Sequence, residues 1–180
     1  MPVIRGKIIE PLFPAETIAA RNRELAAEIA GGPTKDLLVI AVLKGSFIFA
    51  ADLLRGMHEA GLAPEVEFIT LSSYGSGTVS RGVRIIKDID SDVRDRDVLL
   101  VDDILESGRT LSFARDLLFE RGARNVTVAV LLDKKGHRQT DFEADYVGFD
   151  CPDHFVVGYG MDVAYAFREL PFVGVVTGDA

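Results

Sequence analysis

A second cysteine is missing from this chain: Cys151 stands alone, which excludes an intrachain disulfide. No apolar run approaches the roughly 20 residues that cross a bilayer, and the start Met1-Pro2-Val3-Ile4-Arg5-Gly6 lacks the apolar core of a signal peptide. A soluble cytoplasmic protein with no membrane association is the expectation. Basic residues number 20 against 28 acidic ones, a net charge of −8. A broad nucleic-acid-binding face needs the opposite balance, so no nucleic-acid partner is expected, and an anionic ligand must be held by local donors and metal. Low-complexity tracts and repeats of fixed period are absent too. The three histidines, His58, His137 and His154, lack a ligand spacing such as His-x-x-x-His and read as surface residues. Cys151, between Asp150 and Pro152, has no sequence neighbour that would activate it as a nucleophile.

What is present is 180 residues with 48% hydrophobic content, enough for one domain with a sizeable core. Buried-strand runs at Leu37 to Leu43, Val98 to Val101 and Asn125 to Leu132 cannot alternate polar with apolar, the mark of a parallel sheet covered on both faces. Val3 to Ile9, Glu65 to Leu71, Val83 to Lys87 and Ala144 to Phe149 read as further strands. Pro11 and Pro14 punctuate the way into a helix from about Ala15 to Ala30, ended by Gly31-Gly32-Pro33, and helices follow at Phe47 to Ala60 and Leu111 to Arg121. The fold class expected is α/β, a mainly parallel twisted sheet flanked by helices.

The chemistry gathers in Val98-Leu99-Leu100-Val101-Asp102-Asp103-Ile104-Leu105-Glu106-Ser107-Gly108-Arg109-Thr110-Leu111. The carboxyl end of such a strand is where open α/β sheets hold ligands. Ser107, Gly108, Arg109 and Thr110 place hydroxyls and backbone N–H groups at a helix start, where unpaired donors and the macrodipole favour a phosphate. Asp102 and Asp103 would repel that phosphate, but suit a sugar diol or a water-bridged Mg²⁺ at the far end of the same phosphosugar. Lys44-Gly45 offers a point charge and an open backbone where pyrophosphate oxygens can be met; taken alone, it also reads as a turn with a solvated lysine. Ser72 to Gly82 is polar and glycine-rich and reads as a flap or a surface hairpin. Gly75-x-Gly77 is no dinucleotide fingerprint, because Ser80 stands where the third glycine belongs and the segment joins strand to strand.

This stretch resembles the 5-phosphoribosyl-1-pyrophosphate (PRPP) motif of the type I phosphoribosyltransferases: an apolar strand, two acidic residues, two apolar residues, an acidic residue, then Ser/Thr-Gly-x-Thr. The resemblance runs from about Val39 to Val176. It implies a core of about residues 37–140, with a small hood from about 141–180 plus the N-terminal residues. It further implies that Lys44 and Gly45 lie in a pyrophosphate loop, often with a non-proline cis peptide, and that Ser73 and Tyr74 belong to a loop closing over the reaction centre. Asp102, Asp103, Ile104, Leu105, Glu106, Ser107, Gly108, Arg109 and Thr110 would hold PRPP or the nucleotide. In the hypoxanthine-guanine branch, a lysine like Lys134 donates to the purine 6-oxo group, and Arg138 aligns with a basic position near pyrophosphate. Pro152 to Tyr159 and the later run Ala164-Tyr165-Ala166-Phe167-Arg168-Glu169-Leu170-Pro171 resemble the purine pocket: Phe155 stacks on the base and Val156 meets its exocyclic group through main-chain atoms. Asp162 would hold a second Mg²⁺ beside the one at Asp102 and Asp103, and Arg168 would touch pyrophosphate.

Periodicity by itself makes Phe155 and Tyr159 core aromatics, and Asp162 and Arg168 a loop cap and an exposed ion pair. The activity implied is transfer of 5-phosphoribosyl from PRPP to hypoxanthine or guanine, giving IMP or GMP and pyrophosphate. The alternatives are a xanthine-preferring relative and a non-catalytic PRPP or nucleotide sensor. Relatives form dimers or tetramers, so a homodimer or homotetramer is expected. Glu106 departs from the pattern: many relatives have aspartate there, assigned as the acceptor of the purine ring proton.

Overall fold

A computed structural model describes residues 3–73 and 82–179. The chain begins with β1 (Val3–Ile4) and β2 (Lys7–Phe13), then α1 (Ala15–Ala30), β3 (Leu38–Leu43) and α2 (Phe47–Glu59). Next come β4 (Glu65–Ser73), β5 (Val83–Lys87), β6 (Asp97–Leu105), α3 (Arg109–Glu120) and β7 (Asn125–Asp133). A one-turn 3₁₀ helix (Lys135–His137) leads to β8 (Tyr146–Asp150), β9 (Val156–Val157) and β10 (Val173–Asp179).

Six strands form the larger sheet in the order β5-β4-β3-β6-β7-β8, parallel throughout except for the antiparallel β4–β5 pair. The unbroken apolar runs explain why. In β3, Val39 and Ala41 face α1 and α2, while Leu38, Ile40 and Val42 face the side of α3. Leu99 and Val101 of β6 repeat the first pattern, and Val98 and Leu100 the second. Each such Val or Leu, fully removed from water, contributes about 1.5–3 kcal/mol. Because β3, β6 and β7 are parallel, the loops that follow them emerge at one end of the sheet. That end is where the site forms.

A second sheet has the order β1-β2-β10-β9, joining the two ends of the chain. Two expectations change here. Pro11 lies within β2, opposite Gly174 of β10, beside a register shift in β10 and beyond the reach of β1, which pairs only with Ile8 and Lys7. A proline there costs no ladder hydrogen bond on the open side of the strand. The boundary expected for the hood, about residue 141, also shifts: β8 is the outer strand of the larger sheet, paired with β7 from Ala129↔Tyr146 to Asp133↔Asp150. The switch between sheets comes after Asp150.

Candidate active site

A cleft of about 770 Å³ opens at the carboxyl ends of the strands. Lys44 and Gly45 from the loop after β3, Asp103, Ile104 and Glu106 from the end of β6, and Lys134 after β7 form one wall. Phe155, Val156, Asp162 and Arg168 come across from the hood side. A smaller hollow of about 160 Å³ adjoins it, lined by Asp102, Leu105, Ser107, Gly108 and Thr110 among others.

The loop after β3 is tightly fitted. The Leu43–Lys44 peptide is cis. Ser46 is fully buried, its hydroxyl donating to the Val42 carbonyl (2.6 Å). A methyl group on Gly45 would overlap the Asp103 carboxylate, and one on Gly160 would crowd the Gly45 carbonyl (2.5 Å), so two loops approach each other at glycines. Lys44 Nζ lies 5.8 Å from the centre of the Tyr165 ring.

At the start of α3, Gly108 takes the left-handed conformation (φ 83°) and carries no capping side chain. The first amides of a helix have no intrahelical acceptor, so this turn presents donors toward the smaller hollow. Loop 138–140 braces it from behind: Gln139 N–H donates to the Ser107 carbonyl (2.8 Å), and Arg138 Nε to the Glu106 carbonyl (3.0 Å). Arg138 thus departs from its expected place near pyrophosphate. Its guanidinium also binds the Phe142 carbonyl (2.6 Å) and the Asp133 carboxylate, and its side chain is 13% exposed.

The carboxylates behave differently from one another. Asp102 accepts a bond from the Asp103 N–H (2.9 Å), and Asp103 one from the Ile104 N–H (2.8 Å). Burial, and next the negative charge of Asp103, push the Asp102 carboxyl well above the ordinary carboxylate range. Among the described residues no ion pair reaches either one. A half-buried carboxylate pair with no cation beside it among the described residues is a donor set suited to a hard divalent cation. Asp162 already has a cation: Arg168 Nη2 lies 3.2 Å away, while Arg168 Nη1 donates to the Gly160 carbonyl (2.7 Å). Asp102, Asp103 and Asp162 do not form a single three-ligand cluster; the cluster of that kind among the described residues is Glu106, His137 and Asp153.

Glu106 accepts a hydrogen bond from Lys134 Nζ (3.2 Å), a side chain only 10% exposed. Phe155 is 59% exposed at the cleft, while Tyr159 is buried, its hydroxyl donating to Asp52 and accepting from Asn22 (2.9 Å). Burial and the Asp52 carboxylate raise the Tyr159 hydroxyl beyond the usual tyrosine range. Burial also raises the Cys151 thiol, outweighing the opposing pull of Lys134, which leaves it protonated and unreactive.

Some expected residues lie elsewhere. Leu105 still borders the smaller hollow, but its side chain is buried in the core on the α3 side and serves packing. Arg109 lines neither hollow; its N–H bonds the Ser107 hydroxyl (3.3 Å). Ser73 is the last residue of β4, paired with Val83. Tyr74 and most of the expected flap lie outside the described residues. Met161, Tyr165, Thr70 and Leu71 line the cleft without having been singled out, and Asp153 joins Lys134 from the hood loop. No spacing rule marks the lining residues, because they reach the site from two separate segments, the end of β4 and the loop between β9 and β10.

A mainly parallel sheet with an uncapped helix start, a carboxylate pair and two lysines at its carboxyl end defines an α/β protein whose site has the donors and acceptors to suit a phosphorylated, sugar-bearing ligand. The chain belongs to the phosphoribosyltransferase family: the family model described as a phosphoribosyl transferase domain matches residues 10–164. It is 44% identical over 172 residues to a hypoxanthine phosphoribosyltransferase of Salmonella typhimurium, covering 93% of this chain and 95% of that one. A hypoxanthine-guanine phosphoribosyltransferase of Bacillus subtilis is 42% identical over 176 residues, 97% and 96% of the two chains. The crystal structure of a hypoxanthine phosphoribosyltransferase from Staphylococcus aureus superposes with a TM-score of 0.87 at 39% identity, covering 93% of this chain and 90% of that one.

Proposed function

We propose that this protein is a purine salvage enzyme that transfers 5-phosphoribosyl from PRPP to N9 of hypoxanthine or guanine, releasing pyrophosphate. The observation that carries this reading is the convergence of Lys44, Glu106, Lys134, Phe155 and Arg168 on one cleft, beside the helix start at Gly108.

In this reading the amides and hydroxyls of Ser107 to Thr110 hold the 5-phosphate, and Asp102 and Asp103 accept from the ribose hydroxyls. Lys44 and Arg168 face the pyrophosphate. Mg²⁺ bound by Asp102 and Asp103, with a second ion at Asp162, would neutralise charge on the departing pyrophosphate. The base lies against Phe155, with Lys134 donating to its 6-oxo group and the Val156 main chain meeting its exocyclic group. Glu106 takes the proton that the ring nitrogen loses. The larger share of the rate comes from fixed geometry: a ribose anchored at both ends needs only a short movement of C1 toward the base. The names of the relatives favour hypoxanthine and guanine over xanthine, and an enzyme over a sensor. A homodimer or homotetramer in the cytoplasm, in one domain spanning 1–180, completes the reading.

Pyrophosphate release, measured with PRPP and Mg²⁺ and each of hypoxanthine, guanine and xanthine, tests it. Release with the first two bases is the expected result. Faster release with xanthine gives the xanthine reading, and PRPP binding without base-dependent release gives the sensor.

A further inference from the structure

Lys134 poses a problem that the proposed chemistry sharpens. Its ammonium is nine-tenths buried and lies 3.2 Å from Glu106. When a purine gives its proton to Glu106, that carboxylate becomes neutral, and a buried ammonium that loses its nearest counter-charge is expensive. A second carboxylate stands ready: Asp153 Oδ1 is 3.9 Å from the same Nζ. Its other oxygen, Oδ2, is 3.1 Å from His137 Nε2 on the 3₁₀ turn that follows Lys134. The ligand atoms of Glu106, His137 and Asp153 all fall within 4.8 Å of one another, so the three groups share one small volume with the ammonium. The other cations of this loop are engaged elsewhere: Lys135 lies 3.6 Å from Asp150 and 3.8 Å from Asp133, and Arg138 is on Asp133 and Glu143. Asp153 is therefore left to Lys134 and His137.

We propose that Asp153, held in place by His137, is a positioning residue for Lys134: it gives the ammonium a second anionic partner and so releases Glu106 to act as the proton acceptor. This rests on the salvage reading above. In the step concerned, the purine N9–H bond breaks and its proton passes to the Glu106 carboxylate. The N9–C1 bond forms, and the electron pair of the bond between C1 and the leaving oxygen departs with pyrophosphate. Through this step Lys134 stays protonated, exchanging a charged Glu106 for a charged Asp153 while keeping a proton for the 6-oxo group. A divalent metal at the Glu106, His137 and Asp153 trio is disfavoured, since the ammonium sits between the two carboxylates and would repel it. The plain alternative is a solvent-exposed His–Asp pair of no consequence, since His137 and Asp153 are 60% and 59% exposed.

The test is steady-state kinetics of nucleotide formation from hypoxanthine and PRPP for the wild type, Asp153→Asn, Asp153→Glu and His137→Ala, with thermal unfolding of each. Asp153→Asn is expected to lower kcat about tenfold, with both KM values within about threefold of wild type, because the group acts on a step after binding. Asp153→Glu, which restores the charge, is expected to regain most of that loss, and His137→Ala to lose about threefold. Wild-type kcat in Asp153→Asn, or a loss that Asp153→Glu does not recover, overturns the proposal. Should Asp153→Asn fail to fold, His137→Ala decides the matter: unchanged kcat overturns the proposal. A wild type with no base-dependent pyrophosphate release overturns the salvage reading and this role with it, whereas an active wild type with indifferent variants overturns this role alone.

Discussion

Strand β6 carries an aspartate near each end, and the two are treated in opposite ways. Asp97, at the amino end, accepts bonds from the Lys35 N–H (2.7 Å), Arg124 Nε (3.0 Å) and Asn125 Nδ2 (2.8 Å). Burial alone would raise its carboxyl, but these three donors pull it below the ordinary range. Asp102, near the carboxyl end, is raised by burial and by Asp103, with no cation among the described residues to offset either. One end of the strand satisfies its charge and stabilises the fold; the other leaves its carboxylates without a cationic partner among the described residues. Arg96, linked to the Asp36 carbonyl (3.0 Å) and to Glu65 (3.0 Å), strengthens the first pattern at the amino end.

Four variants break or sharpen this contrast, ranked on one free-energy scale where a tenfold rate change is about 1.4 kcal/mol. At the carboxyl end, Gly45→Ala forces its methyl group into the Asp103 carboxylate. A shift of about 1 Å in a positioned group can cost about a hundredfold, and that loss in kcat/KM, with a near-normal unfolding midpoint, is expected from initial rates. At the amino end, Asp97→Ala strands three donors and is expected to cost about 2 kcal/mol, or roughly 4–8 °C in Tm, with kcat unchanged. Calorimetry beside a rate assay checks both halves, and a fall in kcat as large as the fall in stability would erase the distinction between the two ends.

Glu106→Gln is expected to lower turnover at least about tenfold, the usual scale for loss of a general base. Near-wild-type turnover in single-turnover measurements would remove Glu106 from the proton transfer. The smallest effect carries the opposite sign. Asp102→Asn is expected to lower activity yet stabilise the fold at pH 7 by about 1 kcal/mol, because it removes a carboxylate that the folded chain disfavours.

The two aspartates also differ in pH dependence. A depressed carboxyl such as Asp97 adds stability above its ordinary value of 3.8 and loses it as pH falls through the lower folded value. A raised one such as Asp102 costs the folded state nothing below its ordinary value of 3.8, and the cost grows as pH climbs from there until it is complete at the elevated folded value. Urea midpoints across acid to neutral pH should therefore show the Asp97→Ala deficit shrinking toward acid, and the Asp102→Asn gain shrinking in the same direction.

Local chemistry made much of this legible. The runs at Leu37 to Leu43 and Val98 to Val101 read as buried strands because both faces are apolar, and Ser107-Gly108-Arg109-Thr110 reads as an anion loop because its residues suit a helix start. Pro11 misled because a proline signals a break unless the strand is open on its N–H side, which depends on where β1 ends. Arg138 had its place near pyrophosphate only from the family resemblance, and the fold turns its side chain onto the carbonyls of Glu106 and Phe142. Phe155 and Tyr159 stand four residues apart and periodicity gives both the same core reading, and only the chain path leaves the first 59% exposed and the second 5% exposed.

The order of strands and helices, the parallel sheet and the acidic and phosphate-seeking stretch after Val101 were determined by the sequence itself, because each follows from residues within a few positions of one another. Tertiary structure alone decided that Lys134 meets both Glu106 and Asp153, that Gly45 abuts Asp103, and that two aspartates of one strand titrate in opposite directions. Those outcomes depend on which distant segments share a volume and exclude water from it, and local pattern carries no measure of either.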